Sequence, residues 1–226
     1  MSSFTDVLDS IIVIISLYIV IVKCGVNPTG LHDDEATTCE EFSRFARFNP
    51  HSILDSEWMV FYYWGPPQAP MFVKFIVPTA KQKAYLKRIL EGHVLEPIDW
   101  SARSLLMVER DNRTYFIVEK NDRGHYYLYE PYRGMKEGFI VDRINIRIKQ
   151  TGDNIYFGIM ACEERKVFMF ARVNQVPKKN EVQEAAARLG YRGRGGKSYL
   201  YQGHQWMPIP EAEDWDFEDA IRYSNK

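Results

Sequence analysis

Downstream of residue 56 the chain is a series of short apolar runs separated by polar breaks, and most of the runs have strand length. Residues 57–65 (EWMVFYYWG) are aromatic and β-rich and are stopped by Pro66-Pro67, and residues 71–77 form a second run of the same kind. The period then changes. Thr79 followed by Gln82 spells a capping box, and Tyr85, Leu86, Ile89 and Leu90 recur at helical spacing as far as Gly92, which predicts an amphipathic helix over 79–91. From Ser101 six more strand-like runs follow, at 105–110, 114–120, 125–132, 138–149, 154–162 and 166–173, with 138–149 long enough for two strands. Turns such as Asn121-Asp122-Arg123-Gly124 and Thr151-Gly152-Asp153-Asn154 separate them. Connections this short cannot carry a parallel crossover, so neighbouring strands pair antiparallel in a mainly β, up-and-down meander of eight strands. A second helix is predicted after them, with Asn180 as its cap, Gln183 at the third position and Gly190 as its stop. Its apolar stripe of Val182, Ala185, Ala186 and Leu189 must cover apolar surface, and the outer wall of the meander is available.

Ahead of the meander, residues 10–22 (SIIVIISLYIVIV) are uninterruptedly apolar between Asp9 and Lys23. That run is shorter than a membrane span and fits the apolar core of a secretory signal, with cleavage near Cys24 or Gly25. Asp6 and Asp9 stand where a signal carries positive charge, which keeps an uncleaved anchor as the alternative. The organisation is therefore signal peptide at 1–24, N-terminal arm at 25–50, β domain with its flanking helix at 51–190 and a tail at 191–226. Export leaves Cys39 and Cys162 as an even pair in an oxidising compartment, either bonded to each other or two separate buried thiols. Asn112-Arg113-Thr114 is an N-glycosylation sequon in a polar turn, with Asn112 the acceptor in an exported chain.

Composition narrows the function. A chain of 226 residues with 14% aromatics has enough material for one large aromatic-rich domain, and a formal net charge of -1 gives no field for gathering nucleic acid. The stretch Tyr191-Arg192-Gly193-Arg194-Gly195-Gly196-Lys197-Ser198 nearly spells a phosphate-binding loop, but Tyr191 stands in place of the first glycine and the stretch follows a helix instead of a strand. The tail turns acidic at Glu211–Asp219, which argues against a polyanion partner and leaves the tail open to a protein partner. No serine-hydrolase or zinc-hydrolase motif occurs, and His32, His51, His93, His125 and His204 are scattered. The reading is of a protein that is not an enzyme and uses neither metal nor cofactor.

Specific residues then resemble the lipocalin family, in particular secreted insect lipocalins. Leu54-Asp55-Ser56-Glu57-Trp58 resembles the Gly-x-Trp opening of the family's first strand, with Ser56 where glycine is usual. Phe168-Met169-Phe170-Ala171-Arg172 resembles its last strand, which ends in an arginine packed on that tryptophan, and Thr151–Tyr156 resembles the middle Thr-Asp-Tyr turn loosely. The resemblance spans roughly residues 39 to 190. It implies an eight-stranded antiparallel up-and-down β-barrel with a C-terminal flanking helix, here with an extra helix between early strands. It also implies a scaffold contact of Arg172 on Trp58, a Cys39–Cys162 disulfide, and transport of a small hydrophobic ligand, such as a lipid, pigment or tetrapyrrole, by a secreted protein with no stable membrane insertion.

Strand alternation in phase with Trp58 makes Val60, Tyr62 and Trp64 the candidate ligand-lining residues. The opposite phase, Met59, Phe61 and Tyr63, is equally apolar. The alternative class is a protein-interaction module whose barrel is filled by its own side chains and which acts through loops and tail. A third is a lipocalin-fold enzyme with a barrel cysteine as nucleophile.

Overall fold

In a computed structural model the described residues are 36–65, 71–111, 113–120, 124–132, 134–193, 196–198 and 200. The expected signal peptide, the sequon at Asn112 and most of the tail lie outside them. A short helix α1 (Cys39–Ser43) and a 3-10 turn (Pro50–Ile53) precede β1 (Glu57–Trp64) and β2 (Phe72–Ile76). Helix α2 (Ala80–Leu90) then leads to β3 (Ser104–Glu109), β4 (Thr114–Glu119), β5 (His125–Tyr129), β6 (Ile144–Gln150), β7 (Tyr156–Ala161) and β8 (Lys166–Arg172), followed by α3 (Val182–Ala187) and a two-residue β9 (Lys197–Ser198).

The strands run antiparallel in sequence order from β2 to β8, β8 pairs with β1, and β1 pairs with β2, so eight strands close into a barrel. Strand β9 lies outside the ring, on β1 at Tyr62 and Tyr63. Closure removes the exposed edges that an open meander would leave.

Local chemistry explains most element ends. Thr79 caps α2 with the reciprocal Gln82 bond expected from the sequence. The same signal, Thr38 with Glu41, builds α1 inside the N-terminal arm. The run at 138–149 yields only β6, because Gly134 (φ 74°) and Gly138 (φ 83°) take left-handed backbone and residues 134–143 form no strand. Asn180 does not cap α3: Glu181 occupies the cap position without a side-chain bond to the helix, its carboxylate accepting from the Lys178 N–H while its own N–H closes a turn on the Lys178 carbonyl. Gly190 (φ 69°) stands beyond the helix as expected.

Three apolar clusters result. The interior draws on all eight strands, from Trp58 and Val60 round to Phe157 and Phe170. On one outer flank α3 lays Val182, Ala185, Ala186 and Leu189 over β1, β7 and β8, where Gly158 has no Cβ and so leaves room for Leu189. On another flank Leu86 and Leu90 of α2 cover Leu106, Val108, Phe116 and Val118. Helix α2 is thus a flank cover.

Candidate functional site

One end of the barrel is built shut. Trp58 and Arg172 are register partners of β1 and β8, and the guanidinium stands 4.8 Å from the indole ring centroid. Both reach the 3-10 turn beneath them: Trp58 Nε1 donates to the Ile53 carbonyl at 2.9 Å and Arg172 Nη2 to the Ser52 carbonyl at 2.8 Å. Above this floor Phe157 stacks on Phe170 at 4.7 Å and meets Trp58 at 4.8 Å and Phe75 at 5.5 Å. Scaffold is therefore the role that the geometry gives Trp58 and Arg172. A cleft of about 370 Å³ beside the floor holds Arg103, Glu119, Tyr126 and Gln150. Its polar groups satisfy each other, with Arg103 on Glu119 at 2.6 Å and Gln150 on Ser52 at 2.6 Å, so it reads as structural.

The β1–β2, β3–β4, β5–β6 and β7–β8 connections all emerge at the opposite end. Approaching it, the interior is lined by Val60, Tyr63, Met107, Leu128, Ile144 and Phe168. At its rim polar groups converge. Glu109 ends β3 in phase with the inward Leu105 and Met107, Tyr115 of β4 packs against the interior cluster, and Arg113, Glu130 and Tyr132 come from the adjoining loops. Arg113 Nη1 lies 3.5 Å from the Tyr115 hydroxyl, and its guanidinium stands 3.7 Å from both Asp111 and Glu130.

Burial pushes the Glu109 carboxyl up to about 7, and the Asp111 and Glu130 carboxylates push the same way against Arg113 and a hydrogen bond from Tyr115. Burial and the Glu109 charge raise the Tyr115 hydroxyl, and burial with the Glu130 hydrogen bond raises Tyr132 to about 12. Perturbed groups gathered at the mouth of an apolar interior mark this end as the candidate site.

Of the three lining residues expected from alternation, the structure keeps Val60 inside and places Tyr62 and Trp64 outside. A β-bulge between Val60 and Tyr62 inserts one residue against β8, so the inward phase passes to Tyr63. Tyr62 instead donates to Gln183 Oε1 of α3 at 3.0 Å, and Trp64 packs 4.7 Å from Tyr62 and 5.0 Å from Tyr191. Cys39 and Cys162 form a disulfide with their Cα atoms 5.8 Å apart. Sequence reasoning missed Glu109, Tyr115 and Glu130; the available signal was a carboxylate at the inward phase of the run after Leu105. Comparison of the chain with protein-family models, curated proteins and solved structures returns no match.

The site makes a pH prediction. The folded carboxyl of Glu109 holds its proton up to about 7, whereas in the unfolded chain it ionises from 4.5. Between these values the unfolded state loses the proton that the fold retains, so stability falls as pH rises through the window. Glu109→Gln should remove that slope and stabilise the chain at pH ~8 by on the order of 1 kcal/mol, a figure already reduced for solvent screening of a half-buried group. Thermal melts of both proteins from acid to alkaline pH check it, and parallel curves would refute it.

Proposed function

We propose that the chain is a secreted, lipocalin-like carrier that takes a small hydrophobic ligand into the barrel at its Glu109 end. The observation behind this reading is the meeting of an apolar interior with the Glu109, Tyr115, Glu130 and Tyr132 rim. An apolar ligand body between Val60, Met107, Leu128 and Phe168 gains from leaving water, while the rim holds one polar head by hydrogen bonds. The disulfide suits an oxidising, extracellular destination, and it ties up the thiolate that an enzyme with Cys162 as nucleophile requires, so binding without catalysis is the reading adopted. A second reading, a protein-interaction module with a side-chain-filled barrel, draws support from the ring cluster of Trp58, Phe75, Phe157 and Phe170, which occupies the closed half.

Native mass spectrometry of the protein from its natural source separates the two. A carrier shows a small-molecule adduct released on denaturation. Met107→Trp should abolish the adduct by filling the upper interior, at a cost of about 1 to 3 kcal/mol from overpacking. A bare polypeptide mass in the unaltered protein defeats the carrier reading.

A further inference from the structure

Outside the barrel a cleft of about 400 Å³ opens between the segment around Leu95 and the end of the β5–β6 loop. The two walls are held together by backbone: Val141 N–H donates to the His93 carbonyl at 2.7 Å, and the His93 ring meets the Phe139 carbonyl at 2.8 Å. Its floor is apolar, with Tyr129 and Val141 buried. Its edge is apolar and open to solvent at Leu95, 84% exposed, and Ile140, 38% exposed; with Phe139 (45%), next to Ile140 in the chain, these are half of the large exposed hydrophobic residues in the described chain. Scattered single apolar residues are ordinary on a surface, whereas several around one concavity mark an interaction site.

The charge of the cleft selects what fits it. Glu96, Asp142, Glu163 and Glu164 line it. Arg143 pairs with Glu96 and lies over the Tyr127 ring at 4.5 Å, and Lys166 pairs with Glu164. Four carboxylates against two cations leave an excess of two negative charges, on Asp142 and Glu163, which have no cationic partner among the described residues.

We propose that this cleft docks a basic, apolar-anchored peptide segment of a partner protein, with a bulky side chain on Tyr129 and Val141 and a Lys or Arg facing Asp142 and Glu163. The inference stands apart from the carrier reading, because the Tyr129 and Val141 floor belongs to the outer cluster under α2 and not to the barrel interior. Two occupants from the chain itself fit poorly. The C-terminal tail carries Glu211, Glu213, Asp214, Asp216, Glu218 and Asp219 and would meet like charge. The chain's own basic stretch at 192–197 is anchored elsewhere, Arg192 by two backbone contacts to Thr37 and Lys197 in β9 against Tyr63 of β1. Protruding apolar side chains around an acidic concavity are the surface on which a few anchors carry the binding energy of a protein partner.

The test pans a random phage-displayed peptide library against the full chain, with the Leu95→Ser, Ile140→Ser double variant as counter-selection. Both replaced side chains reach solvent, and an unchanged melting curve confirms that the variant is folded. Enriched sequences should place Lys or Arg beside Leu, Phe or Trp. A labelled synthetic copy of the leading sequence should bind the double variant at least about tenfold more weakly. Asp142→Lys should weaken it about five- to tenfold at low salt, with the difference shrinking as salt is added. No enrichment over the counter-selection, enriched peptides without basic residues, or equal binding to the variants overturns the proposal. Competition by a synthetic peptide of residues 201–226 also overturns it, because the occupant would then be the chain's own tail.

Discussion

Replacing Cys39 and Cys162 together by serine is expected to lower the unfolding free energy by roughly 2 to 5 kcal/mol, the range seen on removing native disulfides. The two residues are 123 positions apart, so the bond closes most of the domain into one loop, and on the chain-entropy account a loop of that length lies at the upper end of the range. The bond also seats the arm. Phe42 is 1% exposed in the flank cluster, Ser43 meets the His125 ring at 3.2 Å, and α1 covers part of β6. Without the bond, α1 is five residues that no helix propensity can hold in isolation, so docking becomes an equilibrium. An opposing effect sits on the same strand. Arg147 of β6 is 6% exposed, and among the described residues its Nε has no partner and its Nη1 bonds only Asn145 and the Ile146 carbonyl. Any rehydration of that charge on undocking of the arm offsets part of the loss. The midpoint should therefore fall by something like 10 °C, from about 2–4 °C per kcal/mol for a chain of this size. Amide exchange of residues 37–43 should rise before the barrel melts. An unchanged midpoint and slow exchange in the arm would refute the role given to the bond.

The parts of this fold legible in the sequence are those decided by neighbouring residues. Polar turns delimit the strands, the Thr79–Gln82 box starts α2, and the stripe of Val182, Ala185 and Ala186 finds its covering role in α3. The bulge in β1 was not legible, because both faces of that strand are apolar: Trp58, Val60 and Tyr62 against Met59, Phe61 and Tyr63. A one-residue slip there leaves the hydrophobic pattern unchanged, and only pairing with β8, more than a hundred residues later, fixes which side chains enter the barrel. The rim had the same character. Glu109 lies next to Arg110 and Asp111 and resembles the start of a turn; its meaning depends on Tyr115 and Glu130, which the barrel brings round from β4 and from the segment after β5. Arm residues Thr38 and Glu41 carried a legible cap that the polarity of their surroundings concealed.

The floor of the barrel supplies the other large expected effect. Trp58 is fully buried, and Trp58→Ala should cost about 3 to 5 kcal/mol through lost burial and an unfilled cavity among Phe75, Phe157 and Phe170. The indole also holds the 3-10 turn through the Ile53 carbonyl, so its loss leaves that acceptor to water or unsatisfied. Arg172→Ala should cost less, about 1 to 3 kcal/mol, from the ring contact and the bond to the Ser52 carbonyl. Because both side chains brace the same turn, the effects should not add. A double-mutant cycle on denaturant midpoints should return a coupling of about 0.5 to 2 kcal/mol, whereas additive losses would mean that the 4.8 Å contact contributes nothing. The cycle also bears on function, since the floor lies at the end of the barrel away from the Glu109 rim. Arg172→Ala should leave any bound small molecule in place below the midpoint of unfolding. Retained stability with a lost adduct would exchange the two assignments, making the floor the ligand site and the rim part of the scaffold.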